Sequence, residues 1–480
     1  MASKTLVLIS VFLTMIGFNL GNFYVFDIPQ ALAEPFIKYF DVTTVEISLL
    51  YTVYSLPNFI FTPLGSVILG YTGLGYGAIL FTGFVAFGLV FMNIGVYLKY
   101  FPIMVIGRTL FGIGGENAVI AQASIGEKWF SGSFLSVALA LNNVVSLLAN
   151  TMGNFFTPYL FAKERTFSVT LFVSAIITVV GWGLALIYYI LETKYESMAE
   201  GEEADDNSKD DQSEENNVVI RFRIQDATQL PILFWAVSMA FALISNSYYN
   251  FIDFSTDCIE NKFKYEYTEA KDFVSLVTLG VVFTLPFFSY VVLKVGRKGH
   301  FLLGSAVIAC ISFLFLAFIP NENGPGVFIG MIGISLFFSL YNSAIWSSIA
   351  LTVPKQAVSF AYAAATTLQN IGLTVFPLLF GWINQERTGE AYQKSLIGLA
   401  IIAALGALVS VFIVINDLTT GGVLNYPEND KKVTEIRSRA TESYKTSYLS
   451  SRDGGSSRIS SKVQLKKLGD NKKGLLIKGD

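Results

Sequence analysis

Along most of its 480 residues this chain has too few charges for a protein that lives in water. Of its 33 Lys+Arg and 36 Asp+Glu, a large share sits in two segments. Residues 192–226 hold 4 basic and 12 acidic groups, a net −8, and residues 417–480 hold 13 and 8, a net +5. The other 381 residues carry 16 of each sign, about 8 % of positions against roughly 25 % in a soluble globular chain. That deficit excludes a soluble enzyme, a nucleic-acid binder and a disordered protein. Cysteine is as scarce: Cys258 and Cys310 both lie in apolar runs, so they form no disulfide framework and read as small hydrophobes. His300 is the single histidine and sits beside a basic loop, so no His-dependent triad, metal cluster or histidine proton relay can be assembled. No cofactor and no metal are expected. The chain also lacks an Asn-x-Ser/Thr sequon.

Apolar residues fill the space that charge leaves: 53 % of the chain is hydrophobic, with 42 Phe and 23 Tyr. A helix needs about 20 mostly apolar residues to cross a bilayer. Such runs fall near 5–28, 44–69, 74–98, 101–126, 133–161 and 167–191, and again near 231–256, 269–293, 300–320, 325–352, 357–384 and 393–416. Barrel strands are about half as long and alternate in polarity, which these runs do not. The first run is too long for a signal peptide and lacks a small-residue cleavage site. The composition therefore predicts an all-α membrane protein with twelve transmembrane helices, surrounded by lipid. Residues 1–195 form one six-helix half and 227–416 the other. Between them, 196–226 is acidic and almost free of aromatics, so it is predicted to be a disordered linker. The Ser-, Lys- and Gly-rich tail, 417–480, is likewise predicted to be disordered.

The halves carry traces of a repeat. Pro63 to Gly73 closes helix 2 and Pro286 to Gly296 closes helix 8, with the same spacing of ten and an offset of 223. Trp129-Phe130 and Val353-Pro354 fall at nearly that offset, as do Asn142-Asn143 and Gln369-Asn370. Two tandem six-helix pseudo-repeats are the plan of many secondary transporters, which bind solute between the halves near the midplane. The cluster Lys294, Arg297, Lys298 and His300, with the basic tail, places the termini and linker on the cytosolic side.

Ionisable groups inside a bilayer are costly and usually mark a pathway. Glu116, near the centre of helix 4, is the foremost candidate, either as a solute ligand or as a paired carboxylate locking helices. Arg108 either holds the other end of a solute or serves backbone carbonyls or Asp27. Gly112, Gly114 and Gly115 allow close helix contact. Helix 7 aligns Asn246, Asn250 and Asp253 on one face, helix 10 aligns Ser335, Ser339, Asn342 and Trp346, and helix 2 carries Tyr51, Tyr54 and Asn58. With Asn19 and Asn22 on helix 1 and Asn142, Asn143, Asn150 and Asn154 on helix 5, these stripes indicate either inter-helix hydrogen bonding or a wet central cavity. Trp346 is a platform for a cation or a core aromatic. Only carboxylates such as Glu116, Asp27 and Asp253 can carry protons.

The stretch from Arg108 to Gly115 resembles the Arg-and-Gly-rich helix 4 motif of the major facilitator superfamily. Lys294-Val-Gly-Arg-Lys298 resembles the second copy of its loop motif; the first copy, Gly70-Tyr-Thr-Gly73, has lost its charges, and Leu293 replaces an Asp in the second. A narrower set is similar to the lysosomal dipeptide transporter branch: Asp27-Ile-Pro29-Gln-Ala31-Leu32, Tyr54-Ser55-Leu-Pro57-Asn58, Gly107 to Glu116, Gln122, Trp129-Phe130, and Leu368-Gln369-Asn370-Ile-Gly372. This resemblance covers all twelve helices. It implies facilitated dipeptide export from lysosomes, or residence in another endomembrane in preference to the plasma membrane, with a glycosylated accessory subunit or a second copy as partner. It also implies an acidic ligand at Glu116 and an Arg near Leu147. No Arg or Lys occurs from 129 to 162, which is the main departure from the branch.

The expected function is alternating-access transport of a small polar solute, dipeptides or amino-acid-like molecules first. Glu116, Arg108, Tyr54, Asn142, Asn250, Trp346 and Gln369 are the expected solute contacts, and Glu116, Asp27 and Asp253 the proton-coupling candidates. A proton-coupled symporter of another organic solute is the alternative, and a transport-inactive sensor or scaffold a third reading.

Overall fold

The computed structural model describes residues 2–130, 133–164, 167–207, 230–320, 324–354, 357–427 and 430–452, and every regular element among them is a helix. The first span is broken into α1 (Ala2–Gly17), α2 (Leu20–Phe26) and α3 (Ile28–Ala31). Pro29 has no N–H to donate back into the helix. The next donor, the Gln30 N–H, leaves the helix for the Tyr51 hydroxyl at 3.2 Å, which frees the Phe26 carbonyl. A short helix α4 (Ala33–Phe40) then leads to the second span, α5 (Thr44–Ser55) and α6 (Asn58–Thr72), broken at Pro57. Thr43 and Glu46 close the start of α5 as a reciprocal capping box.

The N-terminal half is completed by α7 (Leu74–Tyr97), α8 (Phe101–Trp129), α9 (Ser133–Glu164) and α10 (Phe167–Asn207). The C-terminal half contains α11 (Ile232–Phe263), α12 (Tyr267–Val295), α13 (Lys298–Phe318), α14 (Gly324–Leu351), α15 (Val358–Ile383) and α16 (Gly389–Thr420). Among the described residues, 11 spans are long and apolar enough to cross a membrane by length and composition. The twelfth is α9, which is just as long and turns its asparagines inward. The two halves keep their repeat at the backbone. Both α6 and α12 contain a proline and stop at a glycine of positive φ, +87° at Gly73 and +67° at Gly296, which side chains rarely adopt. Across the interface between halves, α9 packs on α12 and α14, and α15 packs on α5, α6 and α8.

Two segments differ from the composition-based expectation of disorder. The acidic linker begins as a continuation of α10 to Asn207; residues 208–226 lie outside the described residues. In the tail, Asp417 accepts hydrogen bonds from the Leu424 N–H (3.1 Å) and the Asn425 amide (2.7 Å), folding the chain back. The Leu424 carbonyl in turn takes the Lys298 N–H at 2.8 Å. A helix α17 (Lys431–Arg452) follows, seated on buried Val433. Averaging over 64 residues hid the apolar anchors Val423, Leu424, Tyr426 and Val433. Residues beyond 452 lie outside the description.

The Arg437 guanidinium on α17 reaches both halves. One nitrogen donates to the Glu127 carboxylate at the end of α8 and to the Ala350 carbonyl of α14 (2.8 Å). With 15 % and 8 % of their side-chain surfaces exposed, Arg437 and Glu127 are largely shielded from solvent. Replacing Arg437 by Ala is expected to lower stability by about 1.5–3 kcal/mol, the range for hydrogen bonds to charged groups. Arg437→Lys should recover only part of the loss, because an ammonium is a point donor and not a fork. Thermal melting of the purified full chain checks both.

Candidate solute cavity

The site is organised around Arg108, which has no exposed surface. Its Nη2 donates to the Phe26 carbonyl at 2.6 Å, the one released by the break at Pro29, and its Nε to the Leu50 carbonyl at 3.4 Å. The rings of Phe26, Tyr51, Tyr54 and Phe111 stand 5.0–5.4 Å from the guanidinium carbon, within cation–π range. The second break is tied to the same helix: the Asn58 amide spans the Tyr54 carbonyl (2.8 Å) and the Gly112 carbonyl of α8 (3.1 Å). A Cβ at Gly112 would run into the Tyr54 backbone, so the glycine is what allows this approach.

Between the halves lies a cavity of about 140 Å³. Asp27 and Glu116 line it from the N-terminal half and Asp253 from the C-terminal half. Asp27 occupies the joint between α2 and α3 and accepts from the Asn150 (2.8 Å) and Asn154 (3.2 Å) amides of α9. The Glu116 carboxylate faces Tyr54 and Asn370. Asn370 is fully buried, with the Glu116 carboxylate as the polar group beside its amide. Across the cavity stands an aromatic wall in which Tyr248 stacks flat on Phe338 and Trp346 meets Phe241 edge-on. None of the described lining residues is Lys, Arg or His.

A second cavity, about 520 Å³, lies towards the end of the molecule opposite the linker. It shares Asp253 with the first and reaches the surface at exposed Thr43, Gln385 and Arg387. At the linker end the halves meet, with the Ser359 hydroxyl donating to Ser124 at 2.9 Å beneath the Arg437 tie. This second cavity, the vestibule, thus opens to the surface at the end opposite the linker, and at the linker end the halves are joined instead.

Of the residues expected at a solute site, Glu116, Tyr54, Asn142, Trp346, Gln369, Asp27 and Asp253 all line the central cavity. Asn250 does not: its amide donates to the Asn246 carbonyl at 2.8 Å and it lines the vestibule. Arg108 lines neither cavity. It serves carbonyls, one of the two readings the sequence left open, and neither cavity lining supports the expectation that it touches solute. The stripe on α14 divides in the same way. Ser335 and Ser339 bond across to α12, whereas Asn342 and Trp346 face the cavity. Sequence reasoning missed Tyr248, Tyr249 and Tyr341. A sharper signal was available in Phe338, Asn342 and Trp346, spaced i, i+4, i+8 on one face. Leu147, near which the family pattern places an Arg, lines the cavity as a leucine.

Comparison with known proteins agrees with this architecture. The family model described as Major Facilitator Superfamily matches residues 7–257 and 237–452. The lysosomal dipeptide transporter MFSD1 of Homo sapiens is 25 % identical over 442 residues, covering 90 % of each chain. Among solved structures, the human organic anion transporter MFSD10 superposes with a TM-score of 0.63 at 14 % identity, over 85 % of this chain and 99 % of the other. The proton:xylose symporter XylE bound to 6-bromo-6-deoxy-D-glucose gives the same TM-score and identity, over 86 % and 96 %.

Removing the cation from its enclosure is expected to cost structure before it costs affinity. Arg108→Leu leaves two carbonyls unpaired and Asp27 without its compensating charge, a loss of about 3–5 kcal/mol. The check is the folded fraction by size-exclusion chromatography, which should fall sharply for Arg108→Leu and remain near wild type for Trp346→Phe.

Proposed function

This chain belongs to the major facilitator superfamily and is a membrane transporter of a small solute; we propose that the solute is a dipeptide or amino-acid-like molecule, moved by alternating access of the central cavity. The observation that carries this reading is the cavity between the halves, with Glu116 facing Tyr54 and the Asn370 amide. Glu116 receives the solute's amino group. The Asn142 and Gln369 amides orient its polar backbone, and Tyr54 and Trp346 close around its side chains. Arg108 holds the broken first and second spans in place and does not touch solute. The halves then rock about this site, exchanging the vestibule for an opening on the linker side. The relatives named as lysosomal dipeptide transporters support both the peptide class and a lysosomal membrane, and the accessory subunit or second copy is part of the same proposal.

A proton-linked version of this cycle is favoured by one observation, three carboxylates around a cavity with no cation among its described lining residues. In that version Glu116 carries the proton. Counterflow that persists in Glu116→Gln while pH dependence is lost would select it; loss of both selects Glu116 as solute ligand.

The broader reading is tested by thermal shift on purified protein against dipeptides and amino acids. A ligand at 100 times its Kd stabilises by about 2.7 kcal/mol. A rise in melting temperature is expected with dipeptides at millimolar concentration, and Glu116→Gln should remove it. A flat response to every dipeptide and amino acid would reject the solute class.

A further inference from the structure

We propose that Arg437 is a positioning residue of the transport cycle: through it the tail helix α17 latches the linker side, and it lets go of Glu127 each time that side opens. This rests on the alternating access set out above, and not on the identity of the solute.

The tail is built onto the C-terminal half. The strap before α17 is fastened at the junction of α12 and α13, where the Asn425 and Leu424 carbonyls accept the Arg297 (3.3 Å) and Lys298 (2.8 Å) N–H groups. A Cβ at Gly296 would run into the Tyr426 backbone, so the glycine makes room for the strap. Asp417, at the end of α16, holds the returning chain. Val433 is buried and Ile436 packs on the same core. Fastened in this way, α17 moves with the C-terminal half, and Arg437 reaches from it to Glu127 of the other half. The same nitrogen donates to the Ala350 carbonyl at 2.8 Å, which aims the guanidinium from its own side.

The two helices it joins also line the central cavity. On α8, Glu127 lies about three turns beyond Glu116, and on α14, Ala350 lies about one turn beyond Trp346. Between the cavity and the tie, Ser124 of α8 accepts from Ser359 of α15. A movement that parts α8 from α14 at this end has to break the Glu127 bond. The neighbouring turn of the N-terminal half offers no ionic substitute: Gly70-Tyr-Thr-Gly73, between α6 and α7, is uncharged. Lys128, next to Glu127, is held by Glu192 at 2.7 Å within its own half. A charge-assisted bond made in only one of two states biases them by its own free energy, roughly 10- to 100-fold for a bond of this kind.

A bond that only held the fold together would, when lost, loosen both ends of the molecule; a latch exchanges one end for the other. Full-length protein in lipid nanodiscs, with Cys258→Ser and Cys310→Ser, receives a single reporter cysteine. The reporter is Ser359→Cys at the linker end or Ser48→Cys in the vestibule wall. Maleimide labelling is scored on the monodisperse fraction. Arg437→Ala is expected to speed labelling of Ser359→Cys about tenfold and to slow that of Ser48→Cys, as the halves part at one end and close at the other. Glu127→Gln keeps the size and an acceptor but loses the charge, and should act in the same direction by about fivefold. It carries the test if Arg437→Ala gives no monodisperse protein. Arg437→Lys should fall between wild type and Arg437→Ala. Unchanged rates, or a rise at both reporters together, overturn the latch. Dipeptide counterflow by the wild type in liposomes is read separately: its absence rejects the solute class, and the labelling rates still decide the latch.

Discussion

A guanidinium with no exposed surface is the constraint on which the N-terminal half is built. Arg108 cannot be left unsolvated in a low-dielectric interior. Two of its nitrogens, Nε and Nη2, are met by backbone carbonyls, and a continuous helix has no carbonyls to spare. The break at Pro29 supplies one, and the ring cluster around Tyr54 shields the rest. The same break sets Asp27 at a helix joint, where α9 can bracket it with two amides. The glycines of α8 follow as a consequence, since Gly112 and Gly115 let the second and first spans come close enough to be stitched to it.

The two halves share a backbone plan but divide the chemistry unequally. Two of the three cavity carboxylates come from the N-terminal half, together with the buried cation. The C-terminal half contributes Asp253, the Gln369 amide and most of the aromatic wall. In the proposed function a solute bridges the halves to satisfy both sets of groups, and such bridging would couple occupancy to the closing of one half on the other.

The fold was legible because the bilayer imposes one simple requirement, a long apolar run per span, and eleven spans among the described residues meet it. The repeat was legible at Pro63–Gly73 and Pro286–Gly296 because helix termination there depends on a glycine of positive φ in both halves. Glu116 stood out because a carboxylate in mid-span is expensive unless a partner or a solute answers it. Arg108 and Asn250 were harder to place. Helical periodicity gives the face of a residue, but not which neighbour claims its hydrogen bonds. The tyrosines of the far wall went unnoticed because aromatics are too common in this chain to signal anything singly. The helix in the tail escaped for a different reason: a few anchoring hydrophobes, Val433 among them, were diluted by a polar composition.

The tie made by Arg437 has a consequence for the order in which the molecule is made. Ribosomes deliver the chain from its N-terminus, so Glu127 and Ala350 are in place before Arg437 emerges. Both bundles are synthesised before this tie can form. The Arg437 bonds therefore join halves already linked at Ser124 and Ser359, through a residue lying outside every membrane span.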